Sequence, residues 1–480
     1  MVKTVTVTKN SFYSLVSSII QKALTLVYFI VVARMFGPAD QGRYSAALAF
    51  TMLFNVLIDL GVASVLTRET ARAPEKAYMY VNQMFISRIC IGVLVYGIII
   101  VSAIALGYSS EFIHLVLIAG IATMFDALST ASWAVFRGLR NLFYESVGGV
   151  LAIAIMMSGG IAAMVFHLPI YYLMYAVLAG SLGNFLYVLW LFFFKARFPL
   201  SLRPDFGVMK KLFIYALPFM GAAIFSRIYT FSDTAIIAKM AGDQYAGWYS
   251  AGNKIILALN LVPASLSASL FPVMSAYFVH TPEKIGTLYV RALIYLFMIA
   301  APMGVGIALL SKSIVATLYG VAYTPTVGVL QVLSLSIVFG FLIYPPGSVL
   351  AAVNRQKINT MIYGAAAAIN IVTNIFLIPS LGALGAAIAS VFSNGYIVLA
   401  SLIMTRPYWI GHWKHLIVAF MKILLATGGM GVLVSIMAGR LPLLYAVILG
   451  MVSYAFFVFL LDVFPKKEYA YLYRSLIRKV

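Results

Sequence analysis

A chain of 480 residues with 63% hydrophobic and 10% charged side chains, and a mean hydropathy of +1.01, cannot fold as a water-soluble globule. Its single cysteine, Cys90, excludes an intramolecular disulfide framework and a cysteine-built zinc site. The formal charge of +20 invites a nucleic-acid reading, but the placement of the cations along the chain excludes it.

Apolar stretches of about 20 residues or more, each long enough to cross the hydrocarbon core, follow one another with short breaks. Fourteen are predicted: 11–36, 44–67, 79–107, 112–136, 144–166, 169–194, 210–238, 246–275, 287–310, 325–351, 357–379, 382–405, 413–438 and 441–463. The first is too long for a cleaved signal segment and is expected to stay as a transmembrane helix. The fold class is therefore an all-α polytopic membrane protein of about 14 transmembrane helices. Every connection is short, leaving no room for a soluble catalytic domain, so an enzyme is not expected. No cofactor is expected either.

Most of the 33 lysines and arginines fall on alternate connections, starting with Lys3 and Lys9 and ending with Arg474, Arg478 and Lys479. The opposite loops hold only Arg34, Arg43, Lys239, Lys312 and Arg440. That asymmetry is the positive-inside bias, and it predicts a cytoplasmic (inner) cell membrane protein with both termini inside. The positive balance thus concerns topology and anionic headgroups, not nucleic acid.

The first helix carries Ser11, Ser14, Ser18, Gln21, Lys22 and Thr25 at spacings of three and four, a polar stripe on one face. Such a stripe does not turn to lipid, and an ammonium inside a span marks a functional or paired position. The stretch recurs. Offset by 205 residues, Ala33–Gly37 falls on Ala238–Gly242 and Gly42–Ala46 on Gly247–Ala251, with seven of the fourteen positions from Ala33 to Ala46 identical. Lys22 then falls on Arg227, Thr25 on Thr230, Asn55 on Asn260 and Ser64 on Ser269. Two halves opening on a polar-striped helix with a cation at the same place are the mark of a duplicated transporter bundle. The expected domains are an N-terminal six-helix bundle (1–195), a cytoplasmic linker (196–209), a C-terminal six-helix bundle (210–405), and helices 13 and 14 with a basic tail (406–480).

Seven ionisable residues fall inside spans: Lys22, Asp59, Arg88, Asp126, Arg227, Asp233 and Lys254. Internal pairing would join Lys22 to Asp59 or Asp126, and Arg227 to Asp233 or a neighbour, with Arg88 structural near the inner end. Against full pairing stands the surplus of cations over carboxylates. A cleft between the bundles lined by Lys22, Arg227 and Lys254 suits a diphosphate, which arginine grips as a fork and lysine as a point charge. Gln21, Asn55, Asn253 and Asn260 would suit sugar hydroxyls.

Further residues carry a family likeness. They are Ala33-Arg34-Met35-Phe36-Gly37-Pro38 with Gly42-Arg43-Tyr44, Asp59-Leu60-Gly61 followed by Arg68-Glu69-Thr70-Ala71-Arg72, and Asn354-Arg355-Gln356-Lys357. Asn370, Asn374 and the run Ile378-Pro379-Ser380-Leu381-Gly382-Ala383-Leu384-Gly385-Ala386-Ala387 complete them. Over most of its length the chain resembles the polysaccharide flippases of the multidrug/oligosaccharidyl-lipid/polysaccharide exporter superfamily, the O-antigen type. The resemblance implies two six-helix bundles around a central cavity and a polyprenyl-diphosphate oligosaccharide as substrate. It also implies cavity cations for the diphosphate, which here would be Lys22, Arg227 and Lys254. Membrane lipids and the polysaccharide polymerase machinery are the implied partners. Asp59 or Asp126 would be the coupling carboxylate if an ion gradient drives transport. A multidrug antiporter of the same architecture would want a carboxylate-rich cavity, the opposite of this excess. A membrane-embedded polymerase or ligase would need a sizeable outward loop, and a scaffold would leave the matched cations unexplained.

Overall fold

The computed structural model describes residues 7–196 and 203–463; the middle of the expected linker and the basic tail lie outside the described residues. Every element of length among them is a helix. In chain order these are α1 (Val7–Asp59), α2 (Val62–Arg72), α3 (Ala77–Ala105), α4 (Ser110–Gly138), α5 (Phe143–Val165), α6 (Tyr171–Trp190), α7 (Phe206–Met240), α8 (Asp243–Leu259) and α9 (Leu261–His280). There follow α10 (Glu283–Leu318), α11 (Thr326–Leu342), α12 (Tyr344–Ala352), α13 (Gln356–Leu381), α14 (Ala383–Met404), α15 (Arg406–Trp409), α16 (Trp413–Met437) and α17 (Leu443–Leu460).

Among the described residues twelve helical stretches are long and apolar enough to cross a membrane, or thirteen if the bent α7 counts as one span. The chain is a multi-pass membrane protein. The predicted stretches all fall on helix, but they make twelve or thirteen spans among the described residues where fourteen were expected. Phe12–Asp59 runs through 48 residues, about 70 Å of helix and so twice what one crossing needs. It is broken at Gly37, whose left-handed backbone (φ 75°) no side chain favours. The second predicted span divides into the end of α1 and α2 at Leu60-Gly61, both at positive φ. The eighth divides at Asn260, ahead of Pro263, and the tenth at Ile343, ahead of Pro345 and Pro346. Proline lacks the donor an unbroken helix needs there.

The chain forms two compact units, Met1–Ala251 with Ile371–Ala386, and Gly252–Asn370 with Ala387–Val480. The division runs through α8, α13 and α14. The first unit owes its reach to α7, which packs on α1, α2 and α3. The entry to α7 is also clamped, since Gln83 on α3 donates to the Arg203 carbonyl (3.0 Å) and accepts from the Asp205 amide (2.7 Å). This unit's largest core joins Tyr28, Val32, Tyr44 and Phe50 of α1 to Phe112 and Leu115 of α4, Leu173 of α6 and Ala235 of α7. The second unit's core joins Tyr289, Leu293 and Phe297 of α10 to Val349 of α12 and Leu416 and Ile423 of α16. Helix α17 buries Ala446, Gly450 and Ser453 and exposes Leu444, Met451, Phe456 and Phe459. Small residues inside and large apolar ones outside is the pattern of a helix whose solvent is lipid.

Candidate functional site

The polar stripe of α1 divides between two tasks. Part of it ties α1 to the α4–α5 turn and to α5. Asn10 donates to the Arg140 carbonyl (2.8 Å) and accepts from the Leu142 amide (3.0 Å), and the Ser17 hydroxyl donates to the Ser146 carbonyl (3.0 Å). Gln21 belongs to this group. Its amide donates to Ser17 Oγ (2.7 Å), and it lies so close to α5 that a Cβ at Gly149 would stand 2.5 Å from its Nε2. Neither Asn10 nor Ser17 was singled out by the spacing argument. Lys22 is the next residue, turned about 100° away around the helix. It is exposed, and among the described residues it makes no ion pair and no hydrogen bond.

Arg227 stands at the equivalent place on α7, half-buried, with its guanidinium 5.6 Å from the centre of the Phe231 ring. It too has no ion-pair partner among the described residues. The two cations therefore sit on helices that pack against each other within one unit.

The carboxylates are held elsewhere, which corrects the internal-pairing expectation. Asp59 pairs with Arg88, a residue 3% exposed that also donates to the Ala127 carbonyl. Asp126 stands beside the Ser181 side chain. Asp233 is 5% exposed and accepts from the Tyr249 hydroxyl (2.5 Å) and from Asn374 Nδ2 (2.6 Å). A buried carboxylate needs donors, and here neutral side chains from α8 and α13 supply them where sequence reasoning had offered Arg227. Thr123 and Thr130, which share a face of α4 with Asp126, spend their hydroxyls on the carbonyls of Ala119 and Asp126 (2.8 Å each).

Asn55 is half-buried four residues before Asp59. Lys254 and Asn260 belong to the second unit. Lys254 is half-buried on α8, and Asn260 precedes α9 and leans towards α11, where a Cβ at Gly340 would lie 3.6 Å from its Oδ1.

An all-helical multi-pass protein with two unpaired intramembrane cations at duplicated positions belongs in the class of membrane transporters built from internal repeats. Comparison with known proteins makes the class specific. The family model of polysaccharide biosynthesis proteins matches residues 7–278, more than half of the chain, and the chain belongs to that family. It is 25% identical over 187 residues to a putative O-antigen transporter of Shigella flexneri, a match covering 38% of this chain and 44% of that one. Less than half of that relative's length is thus spanned. It is 19% identical over 387 residues, 80% of each chain, to a probable low-salt glycan biosynthesis flippase, Agl15, of Haloferax volcanii. Among solved structures the lipid II flippase MurJ in an inward closed conformation shares the fold. The TM-score is 0.75 at 17% identity, covering 97% of this chain and 99% of that one.

Proposed function

We propose that this protein is a flippase that carries a polyprenyl-diphosphate-linked oligosaccharide across the cytoplasmic membrane by alternating access. The observation that carries the reading is the pair Lys22 and Arg227, duplicated in sequence and free of carboxylate partners among the described residues. Two cations left unpaired inside a span are expensive unless an anion visits them. A diphosphate supplies that charge, with Arg227 as a fork and Lys22 as a point charge. The polyprenyl tail stays in the lipid while the headgroup crosses, and no covalent bond is made or broken. Lys254, with Asn260, is the second unit's candidate for the same ligand chemistry, and Asn55 for sugar hydroxyls. The pairing of Asp59 with Arg88 favours Asp126 as the coupling carboxylate. The cation distribution supports cytoplasmic termini and a six-plus-six-plus-two arrangement of helices, and polymerase machinery is the partner expected to take up the product.

The test is surface polysaccharide in a flippase-deficient host. Lys22→Ala and Arg227→Ala should each abolish complementation at normal protein levels, whereas Lys22→Arg should retain it and Lys22→Gln should not. Normal polysaccharide in both alanine variants would remove the diphosphate role.

A further inference from the structure

The stretch Arg68-Glu69-Thr70-Ala71-Arg72 carries part of the family likeness and has no place in the diphosphate reading. It forms the end of α2. From Pro38 to Asp59 the chain runs through about 22 residues of helix, about 33 Å, which is one crossing of the hydrocarbon core. The helix breaks at Leu60-Gly61 as that crossing ends. Helix α2 therefore begins at headgroup depth on the side opposite Gly37, the one expected to be cytoplasmic.

The back of α2 is sealed by protein. Val62, Val65 and Leu66 share a core with Met84 of α3, Ala131 and Ala134 of α4, and Leu212 and Ala216 of α7. The Thr67 hydroxyl donates to the Ala134 carbonyl (3.0 Å), and a Cβ at Gly138 would stand 2.6 Å from Thr70 Cβ. The front carries Arg68 and Arg72, both exposed. Lys211 and Tyr215, also exposed, each precede a buried residue, Leu212 and Ala216, and so stand at the rim of the α2–α7 contact.

Two cations from different helices share one ring at that rim. Arg68 Cζ lies 5.5 Å and Lys211 Nζ 5.7 Å from the centre of the Tyr215 ring, so the charges are no more than about 11 Å apart, within about one Debye length. Lys211 is one turn from Tyr215 on α7, whereas Arg68 reaches in from α2. Glu69 takes Arg68 (3.1 Å) and Arg72 (3.4 Å) on one carboxylate oxygen. Lys211 has no ion pair among the described residues. Three cations thus face one carboxylate. The Tyr215 hydroxyl makes no hydrogen bond among the described residues and is a further donor at the same place. Like charges gathered on one ring repel, and an anion between them is what the arrangement lacks. At headgroup depth the anion at hand is a lipid phosphate, which an arginine fork and a lysine point charge both take.

We infer that Arg68, Lys211 and Tyr215 form a site for the headgroup phosphate of an anionic phospholipid, which fastens α2 to the start of α7. A zwitterionic lipid carries the same phosphate but would bring its own cation to a place already crowded with positive charge. The inference rests on neither the transport reading nor the diphosphate.

The test titrates full-length protein in a neutral detergent with phosphatidylglycerol and follows the thermal unfolding midpoint, which a ligand of the folded state raises. The rise should saturate, and phosphatidylcholine at the same concentrations should produce little of it. Arg68→Ala and Lys211→Ala should each raise the half-saturating concentration about fivefold, the effect of one cation near a charged surface. The double variant should lose the saturable rise. Tyr215→Phe, which keeps the ring, should shift the titration less than Tyr215→Leu. Arg355→Ala with Lys357→Ala, an exposed pair on the same expected side, should titrate as wild type. An equal shift in that pair, or an equal rise with phosphatidylcholine, overturns the site in favour of diffuse surface charge. Undecaprenyl diphosphate is the competing occupant. If it alone gives a rise that Arg68→Ala and Lys211→Ala weaken, the site belongs to the transported lipid and the proposal falls. Should Arg68→Ala fail to fold because Glu69 loses its partner, Lys211→Ala decides, and an unchanged titration there overturns the site.

Discussion

The Tyr249 hydroxyl donates a 2.5 Å hydrogen bond to the Asp233 carboxylate, joining the start of α8 to α7 at a point where both residues are at most 5% exposed. Asn374 Nδ2 adds a second donor at 2.6 Å, from α13. Three helices of one unit therefore converge on a single carboxylate. Tyr249→Phe removes only the oxygen and leaves Asp233 short of a donor, at a cost of about 1–3 kcal/mol. Thermal unfolding in detergent should show a lower midpoint for Tyr249→Phe. An equal midpoint would mean that another donor replaces the hydroxyl.

That site shows where sequence reasoning stops. Tyr249 was visible as one of the residues repeated from the first half, where its equivalent is Tyr44. Position 28, one helical turn before Val32, has no carboxylate, so the repeat itself gave no hint that the second-half tyrosine would serve Asp233. The spans, by contrast, were legible almost throughout, because long apolar runs and a requirement for internally satisfied backbone leave helices as the structure available to them. Breaks within spans were legible only where proline or glycine marked them, as at Pro263 and Gly61. The partners of the in-span charges were not legible, since spacing along one helix says nothing about which neighbour faces it. Arg88, expected to be structural, pairs with Asp59, the residue expected as a coupling carboxylate.

Arg88 is the most deeply buried cation described, and it holds both Asp59 and the Ala127 carbonyl. Arg88→Ala strands the Asp59 carboxylate and should destabilise the protein by about 3 kcal/mol. Replacing both partners, Arg88→Met with Asp59→Asn, should recover most of that loss because no uncompensated charge remains. Midpoints of thermal unfolding for the two single variants and the double variant test the coupling. Simple additivity would show that the pair does not act as a unit.

Lys22 makes no bond that holds the fold, so Lys22→Ala should alter stability by less than about 0.5 kcal/mol. Arg227→Ala loses its packing over Phe231, worth about 0.5–1 kcal/mol at a site of this exposure. Both should nevertheless abolish export. Activity lost at nearly constant unfolding midpoint separates a binding cation from a structural one. A large drop in midpoint for Lys22→Ala would place it in the second category.

Asn10 fixes the start of α1 through both ends of its amide, donating to the Arg140 carbonyl and accepting from the Leu142 amide. The turn it braces is strained, because Arg140 adopts a left-handed backbone (φ 57°) that side chains disfavour. Asn10→Ala deletes both bonds at a buried position and should cost about 1–3 kcal/mol. The local consequence is more specific than the global one. Amide exchange should accelerate at 140–146 and along the first turns of α1, while the α3 segment around Gln83 keeps its protection. Asn10→Asp retains the acceptor but loses the donor, and should fall between wild type and Asn10→Ala. Uniform acceleration of exchange across α1 and α3 would mean that the turn is held by the bundle as a whole and that the amide is dispensable.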